Sequence, residues 1–522
     1  MGQKLGHFVP LLGGPDHAQY LVPVIELLCG IEEAVVRNAC VQSTNKILRQ
    51  LSTSNTKAVQ SFLELIKKLV GEGEAEMFYD RNSASQIIPY LYRVLNSDFD
   101  KAAIREIYGR LIEDDSPIVR KSAALSFSEL VTHADENSRA GDFLNFLKII
   151  VSDQKQFVKV IGIDVLGHYS KLLKQNNSVT VLNDHIMPII KESRDNKSWC
   201  IKLSLSKVLS SLISVFTDQE SSIELFNTCI LLLQDPEPDV RIASINSISS
   251  FVNLVGGENF CKEFVPIATI LVEDPMINVR KAMADNIVEI ARLVGSSLVT
   301  QYISDLIFKI VGDDDPSVRL KVLVKFNVIA EEIPTLCSKL TTTMKSMFTN
   351  THWRIRKQMA LTSASLIQHM GQDYYKDNFL ASFLLLFKDE VGEVRGASCG
   401  CVAPIAIAAD VSWVYENIFP AIKAMATDEY LVRLSMLTAL QGLMTLELSD
   451  KFQSEVLALV IGTSHDKVAN IRLKAAQVLG AVCKTLNPDS SRLNIRPVLS
   501  DLINDKDKDV QYFADLSLRE CP

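Results

Sequence analysis

The chain has 522 residues, a length at which a single globular core normally gives way to several domains or to a repeat array. Hydrophobic residues make up 47% and charged residues 22%, which is typical of a folded protein and excludes a disordered one. The net charge of -8, without any run of five basic residues, argues against a protein that binds the nucleic-acid backbone.

The compartment is indicated by the cysteines and by the amino-terminal segment. The ten cysteines show no CxxC pair and no Cys/His ligand spacing, so we expect neither a metal site nor a disulfide framework. The opening residues make a poor signal peptide, and Gly6 stands where a myristoylation signal has Ser or Thr. No apolar stretch reaches the ~18 residues that span a bilayer. We therefore expect a cytoplasmic, and also nuclear, protein without a membrane span.

A repeat of about 39 residues runs along the chain. The phrase DPEPDVR at 235–241 returns as DPMINVR at 274–280 and as DDDPSVR at 313–319. Extended in both directions, this register gives thirteen positions at steps of 37 to 44 residues: Arg37, Arg81, Arg120, Lys159, Lys202, Arg241, Arg280, Arg319, Arg356, Arg395, Arg433, Arg472 and Gln511. Eight of them carry Asp six residues earlier, namely Asp114, Asp153, Asp235, Asp274, Asp313, Asp389, Asp466 and Asp505, and two carry Asn, namely Asn196 and Asn350.

Each repeat is predicted to contain two helices. Before Pro236, apolar residues recur at helical spacing, and a second such stripe follows Pro238. The first stripe is Ile223, Phe226, Ile230 and Leu233, and the second is Ile242, Ile245, Ile248, Val252 and Val255. The prolines end the first helix. We expect the Asp to accept from free N–H groups of the second helix, the Val to be buried, and the Arg to pair with an Asp of a neighbouring repeat.

This pattern is that of HEAT repeats. It predicts an all-α protein, an α-α superhelical solenoid of about thirteen two-helix repeats with an elongated, curved shape. The Asp and Arg residues recur in units that could not all be active sites, so we interpret them as structural. Gly392, Gly396 and Gly400 recur every four residues, and we interpret them as allowing close helix contact.

Motifs of catalysis are absent from the sequence. The eight histidines form no HExxH or other ligand pair, and no nucleophile elbow, phosphate-binding loop or dinucleotide fingerprint occurs. We therefore expect no enzyme activity, no catalytic residue, no metal and no cofactor. An enzyme built on repeats would need a clustered acid/base pair, which the sequence does not show.

Three turns between helices carry aromatic residues where other repeats have small or charged ones: Trp199, Trp353 and Tyr430. Each ring could pack on the core of its own repeat. Alternatively it could contact a partner, because Trp, Tyr and Arg dominate the binding energy of protein interfaces. The two alternatives are evenly balanced for Trp199, and contact is favoured for Trp353.

The turn sequences, in their order, resemble one family. LLGGPDHAQYLVP, IEEAVVR, DDSPIVRK, DNKSW, THWRIR, DEYLVR and KDVQYFADLSL together resemble the scaffolding A subunit of type 2A serine/threonine protein phosphatase, the regulatory subunit of the 65 kDa type. The resemblance covers essentially the whole chain. It implies that the register corresponds to the third to fifteenth of the family's repeats, so that the first two repeats are lacking and residues 1–12 are a remnant helix of a truncated repeat.

The resemblance also implies a function and a division of the chain. It implies a non-catalytic scaffold that joins a phosphatase catalytic subunit with an exchangeable regulatory B-type subunit. Residues 13–335 would carry the regulatory-subunit ridge: Glu32, Glu33, Asp115, Pro117, Arg120, Lys121 and Trp199. Residues 336–522 would carry the catalytic-subunit ridge: Trp353, Arg354, Arg356, Tyr430, Tyr512 and Phe513.

Two departures from the family both fall on the regulatory ridge. Cys200, Ile201 and Lys202 replace an Arg-x-Arg pattern after Trp199, and Met77-Phe78 replaces a Trp-Phe pair. The alternative function is a HEAT-repeat nuclear-transport receptor or an adaptor that binds peptide segments. An acidic, Trp-lined concave surface would favour that alternative.

Overall fold

A computed structural model describes residues 2–71, 77–175, 179–216, 218–483 and 491–521. Within these ranges the chain forms α-helices, short 3-10 and π-helical segments and turns, without any strand. The all-α class predicted from the sequence is therefore confirmed. The chain divides into two compact units, Met1–Gly256 and Gly257–Pro522.

The first unit is built from short and long helices in alternation with turns. Its 3-10 segments are Gly2–His7, Pro15–Leu21 and Ser249–Phe251, and Leu182–Ile186 is π-helical. Its α-helices are Phe8–Leu11, Val22–Cys29, Ala34–Gln50, Thr56–Leu69, Phe78–Val94, Asp98–Ile112, Pro117–Thr132, Glu136–Ala140, Asp142–Ser152, Gln156–Asp164, Leu166–Gln175, Val179–Val181, Met187–Arg194, Trp199–Ile213, Gln219–Leu232, Pro238–Ile248 and Val252–Val255.

The second unit follows the same plan. Its 3-10 segments are Leu386–Lys388 and Met425–Thr427, and its π-helical segments are Val299–Ile303, Lys376–Leu380 and Ser491–Ile495. Its α-helices are Gly257–Leu271, Ile277–Val294, Ser296–Leu298, Ser304–Val311, Pro316–Leu323, Phe326–Glu332, Pro334–Met347, Trp353–Met370, Gln372–Tyr375, Ala381–Leu385, Gly392–Gly400, Val402–Ala409, Val411–Asn417, Phe419–Ala424, Tyr430–Leu443, Asp450–Thr463, Ala469–Val482, Arg496–Leu502 and Lys508–Glu520.

The repeat register matches the helices residue by residue. Each of the thirteen register positions is the fourth residue of a helix, from Arg37 in Ala34–Gln50 to Gln511 in Lys508–Glu520. A further helix precedes each of these thirteen helices, so the predicted number of two-helix repeats is confirmed. In the repeat used for the prediction, the first helix ends at Leu232 and Pro238 opens the second, where its missing N–H is harmless.

A ladder of ion pairs links successive repeats within each unit. In the first unit Arg81 and Arg120 each donate from Nε and Nη2 to the carboxylate of an aspartate 33 residues later, Asp114 and Asp153. Lys202 makes the corresponding single contact with Asp235 at 2.8 Å. In the second unit the pairs are Arg280–Asp313, Arg356–Asp389, Arg433–Asp466 and Arg472–Asp505, with Nε–Oδ2 distances of 2.6 to 2.7 Å. The predicted pairing between neighbouring repeats is confirmed at these seven steps.

The aspartates of this ladder differ from the expectation in one respect. The Oδ1 atom of Asp389 accepts from the N–H of Val391, which is the residue before the helix Gly392–Gly400. Asp114 does the same toward Ser116 N–H. The carboxylate therefore closes the turn that precedes the helix, and the free N–H groups inside the first helical turn are not its partners.

The core of each unit lies between its helices. The residue before the register position is buried in most repeats, as at Val119, Val158, Ile201, Val240, Val279, Val318, Ile355, Val394, Val432, Ile471 and Val510. Each such burial contributes about 1.5–3 kcal/mol to folding. The predicted stripe was wrong at Ile223, which is exposed, whereas Phe226 and Leu233 are buried as predicted. The helix Gln219–Leu232 also buries Leu225 and Cys229.

Glycine also behaves differently from the prediction. A Cβ added at Gly396 or Gly400 would meet nothing within 4 Å, so these positions do not serve close helix contact. Close contact occurs instead at Gly480, where a Cβ would come within 3.1 Å of the Ser517 backbone in the last helix.

Candidate protein-interaction site

The candidate surface consists of the turns that join the two helices of each repeat. In the second unit, Arg356 fixes the turn that begins at Asn350. Its Nη1 donates to the carbonyl oxygens of Asn350 at 2.7 Å and Thr351 at 3.2 Å, while Nε and Nη2 bind Asp389 at 2.6 and 2.8 Å. Arg356 is buried. Its donors are thus occupied inside the chain, and it positions the turn on which Trp353 stands.

Trp353 opens the helix Trp353–Met370. Its ring is half-buried, and the guanidinium of Arg354 lies over it at 4.5 Å from the ring centroid. Arg354 itself is exposed. The stacked pair therefore presents a flat aromatic and cationic surface to solvent while the register arginine holds its backbone.

Of the other residues predicted for the catalytic-subunit ridge, Tyr430 opens a helix, whereas Tyr512 and Phe513 are the fifth and sixth residues of the last one. Tyr430 is the first residue of Tyr430–Leu443 and its side chain is 45% exposed. Tyr512, in the last helix, is 63% exposed and makes an edge contact with the half-buried ring of Phe513 at 5.3 Å between centroids. The structure thus brings each of these rings to the surface of the second unit.

Hydrogen bonds lower the pKa of three ladder aspartates of this unit. Burial by itself would raise the pKa of Asp389, but hydrogen bonds from Arg356 and from Val391 N–H outweigh it and hold the pKa below its usual range. The same balance lowers the pKa of Asp466. For Asp505 the hydrogen bonds from Arg472 are the main cause of a lowered pKa. A charged, bidentate pair of this kind resists rotation of the turn.

In the first unit, the turn at Glu32 and Glu33 is held by Arg37. The Nη1 of Arg37 donates to the carbonyl oxygens of Ile31, at 2.7 Å, and of Glu32. Glu33 caps the helix Ala34–Gln50, its carboxylate accepting from Val35 N–H at 3.5 Å. Both glutamates are exposed, so their charges are open to solvent and to a partner.

The turn before Pro117–Thr132 borders a cleft. Arg120 is engaged there like Arg356, with Nη1 on the Asp114 and Asp115 carbonyl oxygens at 2.8 and 3.3 Å. Asp115 is exposed and lines a cleft of about 530 Å³ together with Glu113 and Gln154. Pro117 is half-buried as the first helical residue. This turn offers a partner a polar, acidic recess.

Lys121 and Trp199 lie on neighbouring parts of the same unit. Lys121 is exposed and its Nζ lies 5.8 Å from the centroid of the Phe157 ring. Trp199 opens the helix Trp199–Ile213 and is 45% exposed, and Ser198 beside it accepts a hydrogen bond from Gln156.

Two apolar side chains of these turns were not predicted from the sequence. Ile118 is 54% exposed and Phe157 is 44% exposed, and both stand two residues before a register position. Trp199 and Trp353 stand three residues before it. A search for large apolar residues at the positions two and three residues before each register position would have found Ile118 and Phe157.

Features of other functional classes are not seen in the described ranges. No group of three or more His, Cys, Asp or Glu residues there could hold a metal ion. None of the helices described is both long enough and apolar enough to cross a bilayer. What the described surface offers is rigid turns bearing aromatic and charged side chains.

Comparison with family models gives two matches. A model described as PIK3R4-like, middle domain, matches residues 232–521. A model described as non-SMC mitotic condensation complex subunit 1 matches residues 96–250. The first match covers more than half of the chain.

Curated proteins similar to the chain include phosphatase subunits. The regulatory A subunit of protein phosphatase PP2A from Saccharomyces cerevisiae is 26% identical over 230 residues, 43% of this chain and 35% of that protein. The alpha isoform of the 65 kDa regulatory A subunit of serine/threonine-protein phosphatase 2A from Arabidopsis thaliana is 37% identical over 132 residues, 25% of this chain and 21% of that protein. The chain thus spans about a third or less of the length of these relatives. The resemblance predicted from the turn sequences is confirmed over these segments.

Solved structures give the fold. A crystal structure of importin beta matches 96% of this chain and 71% of its own, with a TM-score of 0.65 and 12% sequence identity. At that identity the likeness shows a shared helical-repeat architecture.

Proposed function

We propose that this chain, which belongs to the PIK3R4-like middle-domain family, is a non-catalytic scaffold subunit of a type 2A serine/threonine phosphatase. It would bring the phosphatase catalytic subunit together with an exchangeable regulatory subunit, in the cytoplasm and the nucleus. The observation that carries the proposal is a set of turns whose backbones are fixed by ion pairs and whose aromatic rings face solvent. The names of the similar curated proteins, regulatory A subunits of phosphatase 2A, give the class of partner.

The first physical support is pre-organisation. A loop that must be ordered on binding loses affinity to conformational entropy, whereas a loop already held in place does not. The bidentate Arg356–Asp389 pair and its two backbone contacts hold the Trp353 turn before any partner arrives. Trp353, Arg354 and Tyr430 are residue types that supply most of the binding energy at interfaces.

The mechanism needs no active site. Two proteins bound to one chain meet at an effective concentration set by the scaffold, which can exceed their free concentrations by orders of magnitude. The second unit would receive the catalytic subunit at Trp353, Arg354 and Tyr430, where helices begin, and at Tyr512 and Phe513 in the last helix. The turns of the first unit, at Glu32, Glu33, Asp115, Lys121 and Trp199, would receive the regulatory subunit. Arg356, Arg120 and Pro117 would shape these turns.

Reconstitution tests the proposal. The purified chain is mixed with a recombinant phosphatase 2A catalytic subunit, and binding is measured by calorimetry before a regulatory subunit is added. We expect a complex of the two, then of all three, with phosphatase activity only where the catalytic subunit is present. Failure of the catalytic subunit to bind the intact, folded chain would refute the scaffold function, as would hydrolysis by the chain alone.

A nuclear-transport receptor or peptide-binding adaptor is the second candidate, favoured by the likeness to importin beta. An acidic surface lined by Trp would favour such a protein. Trp199 and Trp353 stand at helix starts, and Trp413 is buried. Capture of a basic peptide at low micromolar affinity, with no binding to the phosphatase subunit, would decide for this alternative.

A further inference from the structure

The ladder of the second unit has two exceptions. Arg319 and Arg395 make no ion pair with another residue of the described chain, and the Nε atom of each is buried without a hydrogen-bond partner there. Arg395 is only 6% exposed; its Nη1 donates to the carbonyl oxygens of Asp389 and Glu390 at 2.6 and 3.1 Å. The Arg395 guanidinium is thus anchored at Nη1 and unpaired at Nε. Four other register arginines of this unit bind a carboxylate through Nε, namely Arg280, Arg356, Arg433 and Arg472.

The cause differs between the two sites. For Arg319, Asn350 occupies the place of the aspartate. Its Oδ1 accepts from His352 N–H at 2.9 Å, as Asp389 Oδ1 accepts from Val391 N–H at 2.9 Å. The remaining side-chain atom is Nδ2, a donor, where aspartate has an oxygen. Arg319 Nε and Asn350 Nδ2 are therefore both hydrogen-bond donors, and no carboxylate oxygen is present there to accept from them.

For Arg395, the next turn is one residue shorter. Asp428 stands five residues before Arg433, whereas the other ladder aspartates stand six before their register position. Its carboxylate pairs with Lys388 at 2.6 Å. Thr427 takes the sixth place and brings no charge.

The exceptions coincide with the aromatic turns. The turn after Arg319 carries Trp353, and the turn after Arg395 carries Tyr430. In the first unit Asn196 also replaces the aspartate, in the turn that carries Trp199. A buried cation without a counter-charge is destabilising. The missing ion pairs lie at the same turns that expose aromatic rings. Such departures from a stabilising pattern are typical of functional sites.

We infer that carboxylates of the bound partner complete these two steps of the ladder. Asp or Glu side chains of the protein that docks on the Trp353 and Tyr430 turns would be bound by Arg319 with Asn350 Nδ2, and by Arg395. The chemistry is that of the paired steps, in which a guanidinium fork binds a carboxylate. The inference rests on the proposed function for the identity of that partner.

The first test introduces the missing carboxylate into the chain itself by a substitution. In Asn350→Asp, the new Oδ2 should pair with Arg319, so the melting temperature should rise and affinity for the phosphatase 2A catalytic subunit should fall about tenfold. Asn327→Asp is the matched control, because it adds the same charge at an exposed position of the same unit. It should change neither property.

A second variant tests the inference at the other exception, so that a local rearrangement caused by Asn350→Asp does not decide the outcome alone. Arg395→Met removes the unpaired cation but keeps an apolar stem, and we expect a folded protein with at least fivefold weaker binding. Affinities of both variants equal to that of the wild type would overturn the inference and leave the scaffold function intact. A wild-type chain that does not bind the catalytic subunit would overturn both.

Discussion

At the scale of single residues, the register arginine has two roles in several of the turns. Arg120 holds its own turn through backbone carbonyl oxygens and the next repeat through Asp153. Lys202 has one charged group and makes a single contact to Asp235, because an ammonium lacks the planar fork of a guanidinium. The turn at Trp199 is therefore held by fewer bonds than the turn at Trp353. This difference separates the two candidate anchors more clearly than their exposure does.

The role of Trp353 can be separated from packing by a pair of truncations. Trp353→Ala should weaken binding of the catalytic subunit by about 2 kcal/mol or more if the ring is an interface anchor, and it should leave the melting temperature nearly unchanged. Trp413→Ala is the comparison, since Trp413 is 8% exposed and should cost about 3–5 kcal/mol of stability. Affinity and melting curves on the same preparations distinguish the outcomes. A Trp353→Ala protein that melts early but binds normally would make the ring a core residue.

Phe157 provides the corresponding experiment for the first unit. Its ring is 44% exposed beside Lys121, so Phe157→Ala should weaken binding of a regulatory subunit by about 1 kcal/mol or more without affecting the catalytic subunit. Phe99→Ala removes an equally large ring that is 82% exposed and lies away from the turns between paired helices. Equal effects of the two changes would show that the Phe157 turn is not part of the interface.

At the scale of elements, the sequence predicted where second helices begin but not where they are interrupted. The recurring pattern of Asp, Val and Arg specifies where the second helix starts because its causes are local. The Asp carboxylate accepts a hydrogen bond from an N–H of the turn, and the Val is buried. Breaks such as those after Asp164 and Leu323 depend on packing between repeats, which no local pattern encodes. The same limit explains the error at Ile223. It also applies to the site: Trp199, Trp353 and Tyr430 were recognised from composition, whereas the unpaired Arg395 required the geometry of its neighbour.

Two glycine substitutions test this account of helix contact. Gly396 lies in the exposed middle of Gly392–Gly400, where an added methyl group would meet no neighbour, so Gly396→Ala should stabilise the chain by about 0.5–1 kcal/mol. Gly480→Ala should destabilise it by about 1–3 kcal/mol, because its methyl group would crowd the Ser517 backbone. Denaturant unfolding of both variants measures the difference. Stabilisation by Gly480→Ala would mean that the two helices do not pack closely at this position.

At the scale of the whole molecule, the two units share a plan but differ in charge pairing. Among the ladder pairs described above, the first unit has two bidentate pairs and one lysine contact, whereas the second has four bidentate pairs. Three ladder aspartates of the second unit, Asp389, Asp466 and Asp505, have a lowered pKa. We therefore expect the free energy of unfolding of the second unit to fall more in acid than the number of its acidic residues alone would suggest.

The sign of this response follows from linkage. An unfolded aspartate has a pKa of about 3.9, and the folded values lie below it, so the unfolded chain binds more protons in acid. The stabilisation is fully present above about pH 5 and is lost as the pH falls through the folded values. Melting followed by circular dichroism should show a falling melting temperature below about pH 4. Asp505→Asn should start from a lower melting temperature at pH 7 and fall less steeply, whereas Asp377→Asn, at an exposed aspartate outside the ladder, should keep the full slope. Parallel slopes for wild type and Asp505→Asn would show that the ladder does not set the acid sensitivity. The sensitivity would then arise from general charge repulsion, once protonation has removed the chain's excess of negative charge.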